Sequence, residues 1–166
     1  MNPPRGALWK PVALAFAMAT AAGLFGALAT ELGPWYYALR KPSWQPPDWL
    51  FGPVWTTIFA LAAIAGVLAW RRAPTAVERR RMVIAFLVNL ALNWAWSILF
   101  FRMHRPDAAL VEVAFLWASI ATLIVIMWGY SRTSSLLLVP YLAWVSFASV
   151  LNLSIVRLNA PFGGGP

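Results

Sequence analysis

Residues 35–57 read WYYALRKPSWQPPDWLFGPVWTT, and how that stretch is read decides the kind of body the chain builds. Pro42, Pro46 and Pro47 each lack a backbone N–H and hold φ near one value. Residues 40–48 are therefore neither a regular helix nor a central strand. A flexible linker would be Gly/Ser-rich and free of large rings, whereas this one carries Trp35, Tyr36, Tyr37, Trp44 and Trp49. It reads as a shaped lid of flat aromatic faces, handing over at Trp49 to an uncharged apolar run. The competing reading is an aromatic belt, since Trp and Tyr collect at membrane surfaces for general amphipathic reasons.

The composition settles what lies under the lid. Hydrophobic residues make up 61% of the 166 positions and charged residues 11%, against about a quarter charged in soluble domains. Five windows hold no charged residue: 11–30, 49–70, 82–101, 113–131 and 133–156. Each runs for about 19 to 24 residues, enough at 1.5 Å per residue to cross a hydrocarbon core of roughly 30 Å. They are continuously apolar, without the period-two alternation of barrel strands. The expected fold is an all-α membrane protein, a bundle of five transmembrane helices over about 9–30, 49–71, 80–101, 106–129 and 135–157. Residues 1–158 form its single domain, 31–48 the lid loop, and the Pro/Gly-rich 159–166 a flexible tail.

The formal charge of +8 does not indicate nucleic acid, because the basic residues sit in loops. Arg5, Lys10, Arg71, Arg72, Arg79, Arg80, Arg81 and Arg132 lie on one side of the spans; Arg40, Lys41, Arg102, Arg105 and Arg157 lie on the other. The positive-inside rule then expects a cytoplasmic N-terminus, with the lid and C-terminus outside. Arg5 and Lys10 before an alanine-rich run look like the start of a signal peptide. The apolar run is long enough to span, however, and is expected to be a retained helix. Its Ala19, Gly23 and Ala27 are spaced to let helices approach closely in lipid, which suits a homodimer. There is no cysteine, hence no disulfide and no thiolate metal site.

Within the spans, Trp55, Asn93, Trp96, Glu112 and Asn152 fall in the leaflet nearer the lid, while Asn89 and Trp144 lie near the midplane. Asn89, Asn93 and Trp96 share a face of the third span. Glu112 lies about 9 Å into the fourth, where a carboxyl group must face protein or water. The fifth carries Tyr141, Trp144, Ala148 and Asn152 on one face after Pro140, a residue expected to kink the helix. Trp55 lies about 9 Å below Trp49, too deep for a belt residue. Packing amides need only a neighbouring helix to bond. Four helices sending rings and amides into the leaflet beneath the lid point instead to a pocket for flat, largely apolar molecules. No Ser/His/Asp set, paired carboxylate, phosphate loop or metal-ligand cluster accompanies them. Lone His104, Trp117 and Trp128 are read as solvated, lipid-facing and interfacial.

These residues also resemble a known family, TspO/MBR, the tryptophan-rich sensory proteins and mitochondrial translocator proteins. The resemblance rests on WY-x-x-L-x-KPSW-x-PP-x-W at 35–49, GPVW at 52–55, LALNWAW at 90–96 and PYLAW-x-x-FA-x-x-LN at 140–152. It implies a five-helix bundle, commonly dimeric, that binds porphyrins, sterol-like molecules and benzodiazepine-site ligands. The ligand-binding residues it implies are Tyr36, Trp44, Trp55, Asn89, Asn93, Trp96, Trp144 and Ala148. Protoporphyrin or a related tetrapyrrole is then the ligand, with no cofactor required. Trp55 and Trp144 are the pair implied in light-driven porphyrin breakdown. The stretch LNLSIVR at 151–157 lacks the tyrosine of the animal cholesterol motif, which fits a bacterial-type member of the cell envelope. The expected function is a membrane receptor or sensor with a regulatory role; a porphyrin transporter and a light-driven porphyrin-degrading enzyme are the alternatives.

Overall fold

The structure is a computed structural model that describes residues 9–162, without the side chain of Lys10. Arg5, that lysine side chain and residues 163–166 of the expected tail lie outside the described residues. Among the described residues there are six α-helices and no strand: α1 Trp9–Ala29, α2 Pro34–Ala38, α3 Asp48–Arg72, α4 Ala76–Ser97, α5 Pro106–Trp128 and α6 Arg132–Asn159. All but α2 are long and apolar enough to cross a membrane. The protein is a multi-pass membrane protein built on five spans.

Each boundary has a local cause. Asp48 opens α3 directly after Pro46 and Pro47, with its carboxylate in the first turn where the helix dipole favours negative charge. α4 begins with a capping box: Thr75 Oγ1 accepts from the Glu78 N–H, and the Thr75 N–H donates to Glu78 Oε2. That box starts the helix four residues before the expected 80 and gives Glu78 a structural role. Thr75→Ala is expected to cost about 1 kcal/mol, read as a lower melting temperature in detergent. Ser131 caps α6 by accepting from the Ser134 N–H, and the helix runs unbroken through Pro140.

Two features of the lid side differ from a plain loop joining two regular spans. Residues 34–38 form a helical turn, started by Pro34 at a position where a missing N–H costs nothing. The end of the third span widens into a π-turn, Ile98–Arg102, placing Phe100 inward and Phe101 beside it. His104 follows with φ 53°. Its ring, though exposed, stacks on Trp35 with centroids 4.2 Å apart, a partner not expected for a solvated histidine.

The spans form a ring in the order α1, α3, α6, α5, α4, with α5 against α6 the most extensive contact. Consecutive α3 and α4 barely meet, and α1 packs on both. Close approach is achieved by Ala65 and Ala69 on α3 and Ala73 just beyond its end, which are buried at four-residue spacing against Leu123, Met127 and Leu138. Within the single protomer, the small residues Gly23 and Ala27 of α1 make no such contact. Gly23 has open space where a Cβ would stand, and Ala27 is exposed.

Candidate functional site

Tyr36 is the hinge pin of the lid. Carried on α2, it is buried among Phe100, Ala109, Leu151 and Ile155, at the mouth of the bundle between the π-turn, α5 and α6. Its hydroxyl donates to Asp48 Oδ1 at 2.7 Å, and Gln45 Nε2 donates to both, at 3.2 and 3.3 Å. Lys41 Nζ lies 3.5 Å from the centre of its ring. Burial, reinforced by the Asp48 carboxylate, raises the Tyr36 phenol well above its ordinary value. A phenol held neutral in the fold contributes stability at every pH below its ordinary value of about 10, and that contribution is lost as pH climbs toward the raised value. The absorbance difference between wild type and Tyr36→Phe is expected to show this phenolate forming only well above pH ~10.

A second tie closes the far end of the lid. The Arg40 N–H donates to Asn159 Oδ1 and Asn159 Nδ2 donates to the Arg40 carbonyl, both at 2.8 Å. One amide at the end of α6 thus clamps the backbone of the lid. Arg102 bridges to Glu31 at 2.9 Å and also donates to the Leu28 carbonyl, fixing the chain where it leaves α1.

Beneath the lid the rings run as a chain. Trp44 presents its edge to Phe147 at 5.7 Å, Phe147 stacks on Trp144 at 5.3 Å, and Trp144 meets Phe51 edge-on at 5.6 Å. Trp55 stacks on Phe59 and stands edge-on to Tyr141 at 6.0 Å. Trp96 stacks on Phe100 at 5.1 Å. Trp55, Trp96 and Trp144 all pack on one buried cluster that includes Ile58, Val113, Leu116, Tyr141 and Val145. Three tryptophans from α3, α4 and α6 therefore converge. The indole N–H groups of Trp96 and Trp144 are buried with no partner among the described residues, and so are both carboxyl oxygens of Glu112. A shallow apolar groove between α3 and α6, flanked by Pro53 and Pro140, reaches Trp144 from the lipid side.

The amides divide. Asn89 is spent on structure: Nδ2 donates to Ser119 Oγ at 2.8 Å, and Oδ1 accepts from the Tyr141 hydroxyl at 3.2 Å. Asn93 Nδ2 donates to the same hydroxyl at 3.3 Å. Asn152, with its amide oriented to satisfy both neighbours, donates to the Pro106 carbonyl at 3.0 Å and accepts from the Leu110 N–H at 3.1 Å. It pins α6 to the first turn of α5 and leaves the set of pocket residues. Ala148 is half-buried one turn beyond Trp144. Sequence reasoning missed Tyr141 as the hub of the amide network, although it shares the face of Trp144 and Asn152. Phe51 and Phe147 were missed as well. Trp117 is exposed, yet its indole donates to Ser146 Oγ at 2.9 Å. Exposed Trp128 lies under the Arg132 guanidinium at 5.6 Å.

Among the described residues no group of three or more His, Cys, Asp or Glu is placed to hold a metal ion. The arrangement offers rings, two unpartnered indole donors and one buried carboxyl group, a set suited to holding a flat ligand.

Comparison with known proteins agrees with this architecture. Residues 12–158 match the model of the TspO/MBR family. The chain is 44% identical over 154 residues to the tryptophan-rich protein TspO of Chlorobaculum tepidum, covering 89% of this chain and 95% of that one. It is 37% identical to the protein CrtK of Rhodobacter capsulatus, covering 89% and 91%. It is 34% identical to the human translocator protein, covering 99% and 97%. With the match running from the first span to the last turns of α6, the chain belongs to the TspO/MBR family.

Proposed function

We propose that the protein is a membrane receptor that binds tetrapyrroles, with protoporphyrin as the type ligand, in the aromatic site beneath the lid and passes occupancy on as a regulatory signal. The observation that carries this reading is the convergence of Trp55, Trp96 and Trp144 on one buried cluster, directly under a lid pinned by Tyr36 and clamped by Asn159. Flat aromatic faces are the chemistry that a planar, largely apolar macrocycle uses, and each well-placed ring pair adds about 0.5–1.5 kcal/mol beyond area burial. The unpartnered indole N–H groups supply donors for the polar edge of such a ligand. The site is proposed to face the outside of a bacterial envelope, with the N-terminus cytoplasmic, and the protein to act as a homodimer with one site per protomer.

Purified protein in bilayer discs is expected to bind protoporphyrin saturably, at one per protomer, with quenching of tryptophan fluorescence. Illumination of that complex separates receptor from enzyme: a stable porphyrin spectrum with retained binding supports the receptor reading, and light-dependent loss that needs Trp55 and Trp144 replaces it. Movement of porphyrin across sealed vesicles would make the protein a transporter.

A further inference from the structure

A second cleft lies in the other half of the membrane, away from the lid. Its walls run from Pro11 to Ala22 on α1, from Phe59 to Trp70 on α3 and from Met82 to Asn93 on α4. All three stretches rise by about 16 Å, roughly half of the ~30 Å hydrocarbon thickness, which is the length of one leaflet's acyl chain. The slot exists because α3 and α4 barely touch and the residues between them are small: Ala15, Ala19, Ala62, Ala63 and Gly66 line it. It ends at the Asn89, Asn93 and Tyr141 hydrogen-bond network.

The end farther from that network is basic. Trp70 lines it, and the guanidinium of Arg79 sits 5.8 Å from the centre of its ring while donating to the Ala73 carbonyl at 3.1 Å. Arg79 and Arg80 stand one helical turn below the lining residues Met82 and Val83, and so project toward the head of anything in the slot. Arg71, Arg80 and Arg81 are exposed, and none is in an ion pair among the described residues. A leaflet-long apolar slot with an arginine cluster at one end is complementary in shape and charge to one class of molecule.

We infer that this cleft is a binding site for an anionic bilayer lipid, one acyl chain lying between α1, α3 and α4 and the phosphate head resting on Arg79 and Arg80. Asn89 and Asn93, which close the slot, are also among the ligand-binding residues that the resemblance implies, but the inference rests on the slot and its arginines and not on the occupant of the site under the lid. The lipid would fill the gap that leaves α3 and α4 apart, and so tie α1 to the bundle.

Native mass spectrometry of protein released from discs of equal phosphatidylglycerol and phosphatidylcholine tests it. Wild type is expected to retain one phosphatidylglycerol per protomer, preferred over phosphatidylcholine by on the order of tenfold, as two arginines near an anionic head should give. Arg79→Gln with Arg80→Gln should abolish that preference, and Ala63→Phe, which blocks the slot, should abolish retention. A chain-brominated phosphatidylglycerol should quench wild-type fluorescence more than that of Trp70→Phe, a readout that needs no packing variant. Equal retention of the two lipids by wild type overturns the proposal. So does retention untouched by Ala63→Phe, equal quenching of wild type and Trp70→Phe, or full displacement by free glycerophosphoglycerol, which has the head and no chain.

Discussion

Trp144→Ala is expected to weaken protoporphyrin binding severalfold or more, while Trp144→Phe weakens it only modestly. The alanine variant removes the ring that meets both Phe51 and Phe147, and with it the link between α3, α6 and lid residue Trp44. An aromatic contact to the proposed ligand contributes about 0.5–1.5 kcal/mol beyond its buried area, so losing that contact together with the area the ring buries corresponds to a severalfold or larger change in affinity. Phenylalanine restores a ring but not the indole N–H, which is buried and unpartnered and is proposed to serve the ligand. Titration of both variants by porphyrin absorbance, which does not depend on the residual tryptophans, checks the order. A Phe variant as weak as the Ala variant would assign the effect to the N–H rather than to the ring.

Tyr141→Phe is expected to be the most damaging conservative change within the bundle. The hydroxyl it removes donates to Asn89 Oδ1 and accepts from Asn93 Nδ2, so one substitution leaves two buried amide groups short of a partner. A buried polar group left unsatisfied costs about 1–3 kcal/mol, although amides within a membrane can find alternatives in the unfolded bundle and average nearer 0.6. The expected result is a melting temperature in detergent lowered by several degrees, while the ring that stands edge-on to Trp55 is retained. The double variant Tyr141→Phe with Asn89→Leu should recover part of the lost stability, since it removes the stranded acceptor along with its donor.

The spans were legible because lipid leaves the backbone no alternative: an uncharged run of about 20 residues must close its own hydrogen bonds as a helix. The lid was legible for the opposite reason, since Pro42, Pro46 and Pro47 forbid regular structure. Depth placed Trp55 and Trp96 in the lid-side leaflet but Trp144 near the midplane, so their packing on one cluster needed the arrangement of the helices. What each amide does could not be read from depth either. Asn89, Asn93 and Asn152 look alike in a hydrophobic run, and their roles depend on which helix stands opposite. The ring order, with α1 on both α3 and α4 and α6 between α3 and α5, is not written in any one span. Nor was the clamp from Asn159 to Arg40, which joins residues 119 positions apart. The capping box is different: T-x-x-E at 75–78 is visible in the sequence and gives the start of α4.

The proposed site lies beneath the lid rather than at the opposite interface, and Trp128 is the control, because it is exposed at the far end of α5 with Arg132 over its ring. Protoporphyrin titrations of wild type, Trp144→Ala and Trp128→Phe in the same bilayer discs are the most direct test. The predicted result is saturable binding by wild type, a severalfold or greater loss in Trp144→Ala, and an unchanged affinity in Trp128→Phe. Binding weakened as much by Trp128→Phe as by Trp144→Ala would place the site in the other half of the membrane and contradict the account.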